Sequence, residues 1–88
     1  MTNEQVYLNL VPNLEKVIKT NDLSRSLTLT SNLFHLGLDS IGVMELLVSI
    51  ENQFQITFAD DELSPQLFES VGNLVNKITS KCEQRTSN

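Results

Sequence analysis

Residues 39–54 read Asp39-Ser40-Ile41-Gly42-Val43-Met44-Glu45-Leu46-Leu47-Val48-Ser49-Ile50-Glu51-Asn52-Gln53-Phe54, and their periodicity decides the fold class. Val43, Leu46, Leu47, Ile50 and Phe54 fall at the i, i+3, i+4, i+7, i+11 spacing of one buried helical stripe. The pattern predicts a helix from Ser40 to about Gln53. Asp39 stands at its N-cap, where a carboxylate accepts a hydrogen bond from an otherwise unpaired first-turn N–H. Ile41, Met44 and Val48 lie off the stripe. Spacing alone leaves these three either as a wider buried face or as an exposed apolar contact surface.

Working outward, Val6, Leu10, Leu14, Val17 and Ile18 give an earlier helix over about residues 3–20, opened by a capping-box pair, Thr2 and Gln5. Pro12 removes one of its hydrogen bonds and predicts a kink or a late start. Residues 21–39 form a long polar loop that Leu27, Leu29, Leu33, Phe34 and Leu36 can pin to a core. Beyond the central helix, Gln55–Leu63 is a loop with an apolar Ile56-Thr57-Phe58 entry and the acidic run Asp60-Asp61-Glu62. Ser64-Pro65 then opens a short third helix through Phe68. Ser70 caps a last helix carrying Val71, Leu74, Val75 and Ile78, with Lys77 and Lys81 near its end to suit the negative pole of the dipole. The expected fold is therefore all-α: a small four-helix bundle with a long loop between helices one and two and a short third helix. Residues 1–80 make a single domain, and 81–88 read as a polar C-terminal tail that frays.

A chain of 88 residues supports one modest core and no deep catalytic cleft. Its net charge of −5 is unevenly spread. All six Lys and Arg lie at 16, 19, 25, 77, 81 and 85, while Asp39, Glu45, Glu51, Asp60, Asp61, Glu62 and Glu69 occupy the stretch between. Phosphate binding needs clustered cations, so nucleic acid is excluded as the expected partner and a protein with a basic docking surface is favoured. The lone Cys82 allows no intrachain disulfide, and no apolar run approaches membrane-spanning length. With no basic-then-apolar leader at the start, a cytoplasmic protein without membrane insertion is expected.

Chemistry concentrates at Gly37-Leu38-Asp39-Ser40-Ile41-Gly42. Ser40 can be a plain cap, a hydrolase nucleophile or an attachment point. Asp39 already takes the cap position, which leaves the Ser40 hydroxyl free. A nucleophile elbow, Gly-x-Ser-x-Gly, needs glycine where this chain has Leu38, and the single histidine, His35, sits in the loop just upstream. No intrinsic catalysis and no resident metal site are expected. A phosphate-linked arm, by contrast, suits a helix N-terminus, where unpaired N–H groups and the dipole favour negative charge. Gly37 and Gly42 leave the surroundings uncluttered, and Asp39 stands beside the hydroxyl where it could help bind a metal ion brought with the donor.

The run Leu36-Gly37-Leu38-Asp39-Ser40-Ile41, followed by Glu45-Leu46-Leu47 and Ile50-Glu51-Asn52-Gln53-Phe54, closely resembles the acyl carrier protein and peptidyl carrier protein superfamily. Asp61-Glu62-Leu63 and the Phe68-x-Ser70-Val71 step fit as well, and the likeness covers roughly residues 4–80. The resemblance implies a non-enzymatic carrier with 4′-phosphopantetheine attached covalently to Ser40, beside the motif residue Asp39. It implies installation from coenzyme A by a phosphopantetheinyl transferase and a cargo held as a thioester. An acyl- or aminoacyl-loading ligase or transferase and downstream condensing or tailoring enzymes would be further partners of a monomer. Their docking would use helix two, with Ile41, Met44 and Val48 as apolar contacts and Asp39, Glu45 and Glu51 as polar ones.

Gly42, Asn52 and Gln53 depart from the acidic pattern of fatty-acid carriers, and Leu38 breaks the Gly-Gly of many peptidyl carriers. Gly42 also costs a helix about 1 kcal/mol relative to Ala unless a close approach needs it. Ser40-Ile41-Gly42 with Glu45-Leu46-Leu47 and Ile50-Glu51-Asn52 is similar to D-alanyl carrier proteins of teichoic acid modification. The expectation is a discrete carrier in polyketide or nonribosomal-peptide-type specialised biosynthesis. The alternatives are a D-alanyl carrier, a housekeeping fatty-acid carrier and, from another class, an unmodified acidic helical adaptor.

Overall fold

The computed structural model describes residues 2–18 and 27–86, and among the described residues three α-helices carry the fold. They are α1 (Asn3–Ile18), α2 (Ser40–Phe54) and α3 (Val71–Thr86). Two 3₁₀ turns, Asp60–Glu62 and Pro65–Phe68, join the last two helices. The all-helical bundle expected from the sequence is the one observed, and the described part of the expected loop before α2, residues 27–39, holds turns and no α-helix. The short third helix is one turn of 3₁₀ geometry, since Ser64-Pro65 starts it and Glu69 N–H already closes back onto Gln66 O at 3.3 Å. The last part of the expected first helix and the first part of the loop, including Lys19 and Arg25, lie outside the described residues.

Each helix gives one stripe to a common core. Val6, Leu10 and Leu14 of α1, Leu46 and Ile50 of α2, and Val71, Leu74 and Ile78 of α3 have no exposed surface. Leu67 and Phe68 close the core from the 3₁₀ turn, and Ile56 and Phe58 from the segment after α2. Val43 and Leu47, expected on the buried stripe of α2, are half-buried at its edges. The Thr2–Gln5 capping box is formed reciprocally, with Gln5 N–H on Thr2 Oγ1 at 3.2 Å and Thr2 N–H on Gln5 Oε1 at 2.9 Å. Pro12 lies inside a continuous α1, on its exposed face, where the carbonyl freed by the missing N–H can meet water.

α1 and α2 run antiparallel. Val17 lies beside Gly42, Asn13 bonds residues 49 and 53, and Asn9 bonds Gln53. Their contact carries a polar seam that no sequence pattern announced. Asn13 is 5% exposed, donates to Gln53 Oε1 and to Asn9 O, and accepts from Ser49 Oγ at 2.6 Å. A buried amide of this kind costs little when both its ends are bonded, and it fixes how two helices meet.

The described part of the loop is pinned only partly as expected, and Leu36 packs against the core. Leu27 and Leu33 are buried, but Leu29 and Phe34 are exposed, Phe34 resting edge-on against the Phe68 ring at 6.0 Å. Backbone bonds do much of the pinning. Val71 N–H reaches Ser31 O at 2.9 Å, Gly72 N–H reaches Leu29 O at 2.8 Å, and Asn73 N–H reaches Ser70 Oγ at 3.0 Å. The loop and Ser70 thus satisfy the first-turn donors of α3, which helix geometry leaves unpaired.

Two further expectations are corrected. α3 continues to Thr86 with Cys82 buried, so the chain is helical through most of the stretch read as a frayed tail. Lys77 and Lys81 therefore sit within the helix rather than at its end, and both grip Glu62, at 2.8 and 2.6 Å. Lys81 also lies 5.6 Å over the Phe58 ring. The two ammonium groups, with the Ala59 N–H, hold the Glu62 carboxyl at about 2 against an ordinary 4.5. A depressed carboxylate stabilises the fold above its ordinary value and loses that contribution as pH falls through the folded value. Glu62→Gln should therefore lower the thermal midpoint at pH 7, and the gap to wild type should close as both are titrated toward pH 2. Salt should narrow the gap at pH 7, because the pair is near the surface.

Candidate attachment site at the start of the second helix

The approach to Ser40 is built by a helical turn that stops at Gly37. Asn32 Oδ1 accepts the N–H groups of Phe34 and His35 at 2.9 and 3.3 Å and starts the turn. Leu38 N–H then bonds Leu33 O at 3.0 Å and Gly37 N–H bonds Phe34 O at 3.1 Å, the two bonds of a Schellman stop. Such a stop needs a residue with positive φ, and Gly37 supplies it at φ 112°. The hydrophobic contact that accompanies this motif falls to Leu33 and Leu38, both buried. Leu38 thus anchors the chain in the core one residue before Asp39 turns it into α2. Its role was not legible from spacing, because it lies in no helical stripe.

Asp39 is the cap that the sequence predicts. Its backbone is extended at φ −108°, ψ −179°, and its Oδ1 accepts the Gly42 N–H at 2.7 Å. Its carbonyl accepts the Val43 N–H at 2.8 Å and begins the helical ladder. Ser40, the first residue of α2, is exposed. The N–H groups of Ser40 and Ile41 precede the first intrahelical bond, so the donors next to the hydroxyl face outward, where an anion can use them.

Downstream, Ile41, Met44 and Val48 are 69%, 70% and 58% exposed. The structure therefore places them on the surface, one turn apart along a single face of α2, and not in a wider core. Glu45 is exposed beside them. Glu51 differs: it is half-buried, and its Oε2 accepts the Phe58 N–H at 2.9 Å, tying the segment after α2 back to the helix. His35 is exposed in the preceding turn. Among the described residues no group of three or more His, Cys, Asp or Glu side chains could hold a metal ion. No described helix is long and apolar enough to cross a membrane.

Gly42 is buried. A Cβ at this position would stand 3.0 Å from Leu38 Cδ1, 3.2 Å from Asp39 Oδ1 and 3.8 Å from Val17 Cβ. The close approach that justifies a helical glycine is made by the chain itself.

This surroundings suits a phosphodiester on a serine: an exposed hydroxyl, outward first-turn donors, and a neighbouring carboxylate already turned toward the helix. Residues 12–78, most of the chain, match the family described as phosphopantetheine attachment site, and the protein belongs to that family of carrier proteins. Its members carry a group for other enzymes and are not themselves catalysts. Among its relatives, aminoacyl carrier protein 1 of Bradyrhizobium diazoefficiens is 24% identical over 85 residues, 97% of this chain and 94% of that protein. Aminoacyl carrier protein 2 of the same organism is 31% identical over 68 residues, 77% of this chain and 76% of its own. The D-alanyl carrier protein of Bacillus velezensis is 48% identical over 42 residues, 48% of this chain and 54% of its own.

Replacing Asp39 by Ala should cost about 1 kcal/mol, the usual value of an N-cap, whereas Asp39→Asn should cost much less because an amide oxygen caps as well. Denaturant unfolding of the two variants beside wild type measures the difference.

Proposed function

We propose that this carrier bears its 4′-phosphopantetheine on Ser40 and that its cargo is an amino acid. The observation that carries the first part is an exposed serine at the start of α2, directly after a cap that Asp39 has already filled. Ser40 Oγ attacks the pantetheine-side phosphorus of coenzyme A. An oxygen–phosphorus bond forms there, the bond to adenosine 3′,5′-bisphosphate breaks, and the serine proton leaves to a base of the transferase. When bound, the arm supplies a thiol that holds a carboxylic acid as a thioester. The chain's own residues orient and present it: Leu38 anchors the approach, Asp39 fixes the first turn, and the outward N–H groups stabilise the phosphodiester by about 0.3–1 kcal/mol at an exposed site.

Two relatives named as aminoacyl carriers, each matched over three quarters or more of both chains, support an amino acid over a polyketide intermediate or a fatty acyl chain. The D-alanyl carrier likeness, confined to about half of each chain, gives a second reading in which the amino acid is D-alanine. A nonribosomal-peptide-like use fits either amino acid.

A protein of this family needs a phosphopantetheinyl transferase and a loading enzyme. Ile41, Met44 and Val48, with Asp39 and Glu45 beside them, form the surface we assign to both, and a partner with basic side chains around an apolar patch complements it. Condensing or tailoring enzymes would follow at the same face. The cytoplasm, where coenzyme A is at hand, is the compartment this chemistry favours.

Incubation with coenzyme A and a broad-specificity phosphopantetheinyl transferase should add one arm to the wild type by intact mass and none to Ser40→Ala. Subsequent loading by an amino-acid-activating ligase should give a hydroxylamine-labile adduct. An arm gained equally by Ser40→Ala would contradict the assignment, and an unmodified wild type would favour the adaptor reading.

A further inference from the structure

We infer that Gly42 is a positioning residue for arm attachment: by having no side chain, it sets where Leu38 seats and where Asp39 caps, and through them how Ser40 is presented. The inference rests on Ser40 being the attachment point and adds a residue that would touch neither the arm nor coenzyme A. Gly42 is buried beneath the first turn of α2. The two nearest atoms to an added Cβ belong to Leu38, at 3.0 Å, and to Asp39, at 3.2 Å, which are the two residues directly before Ser40.

Each neighbour would have to give by a few tenths of an ångström, and the two stand directly before the serine. Leu38 is 4% exposed in a packed core and its N–H is held by Leu33 O at 3.0 Å, so its side chain has little room to move away from a methyl on residue 42. The Asp39 oxygen in question is the one that accepts the Gly42 N–H at 2.7 Å, so a methyl on residue 42 crowds the acceptor of its own amide. Helix propensity works in the opposite direction, since alanine is the better helix former. Crowding and propensity thus offset each other in stability, so the thermal midpoint read beside the transfer kinetics separates an effect on folding from one on presentation.

Gly42→Ala, Leu38→Val and the double variant Leu38→Val/Gly42→Ala test this beside wild type. Three quantities are read: kcat and KM for transfer of the arm, amide proton exchange at residue 42, and the thermal midpoint. Gly42→Ala should melt within a few degrees of wild type, exchange its residue-42 amide roughly tenfold faster as the cap loosens, and lose roughly tenfold to hundredfold in kcat/KM, as misplaced reacting groups do. The double variant should lose less, because valine has no δ-carbon to meet the new methyl. It should still be several-fold slower than Leu38→Val, because the Asp39 oxygen is crowded as before.

Wild-type kinetics and wild-type exchange in Gly42→Ala, with the wild type itself accepting the arm, would overturn the inference and leave the Ser40 assignment standing. A wild type that accepts no arm removes the assignment and the inference together. Should Gly42→Ala fail to fold, the double variant decides alone: slower transfer and faster exchange than Leu38→Val support the inference, and equality overturns it.

Discussion

The hydrogen bond from the Gly42 N–H to Asp39 Oδ1, at 2.7 Å, is the contact around which the site is arranged. It is worth about 1 kcal/mol, against the 5–15 kcal/mol by which domains of this kind are stable, so its importance is not chiefly energetic. It decides which side chain caps α2 and which is left over. Had Ser40 been the cap, its hydroxyl would be bonded to the helix and unavailable. Because Asp39 takes that place, a hydroxyl is exposed at the positive end of a helix. The Schellman stop at Gly37 and the buried Leu38 set the direction from which Asp39 arrives, and Gly42 leaves space for both.

The rest of the bundle keeps that first turn still and leaves the face beside it bare. α1 braces α2 from behind through an apolar stripe and the Asn13 seam with Ser49 and Gln53. Glu51 and Glu62 fold the segment after α2 back onto α2 and α3, through the Phe58 N–H in one case and two lysines in the other. Hydrophobic side chains that could have widened the core, Ile41, Met44 and Val48, instead face solvent on the helix that begins at Ser40. A small domain gives up burial there, which is reasonable if other proteins must cover that face in turn.

The parts legible in the sequence are those encoded by local spacing. Thr2 with Gln5, Asp39 before Ser40, and Ser70 before Val71 are capping signals read within one helical turn, and each cap is formed. The family resemblance rested on the same local runs and holds over residues 12–78. What escaped needs two elements to be docked first. Asn13 looks like any polar residue of α1 until α2 brings Gln53 to it. Glu62 looks like part of a solvated acidic run until α3 places two lysines beside it, and Cys82 looks like tail until α3 continues through it. The reason for a glycine at 42 is hidden as well, because nothing in a linear pattern reveals that Leu38 packs against it.

The central claim, that one serine is set apart from the others by a neighbour's cap, is tested most directly by locating the arm. Wild-type protein treated with coenzyme A and a phosphopantetheinyl transferase should be digested and sequenced by tandem mass spectrometry. The account predicts the phosphopantetheine on the peptide spanning Gly37–Gly42, at Ser40, with Ser24, Ser26, Ser31, Ser49, Ser64, Ser70, Ser80 and Ser87 unmodified. An arm found on any of those eight, or spread among several serines, would contradict it.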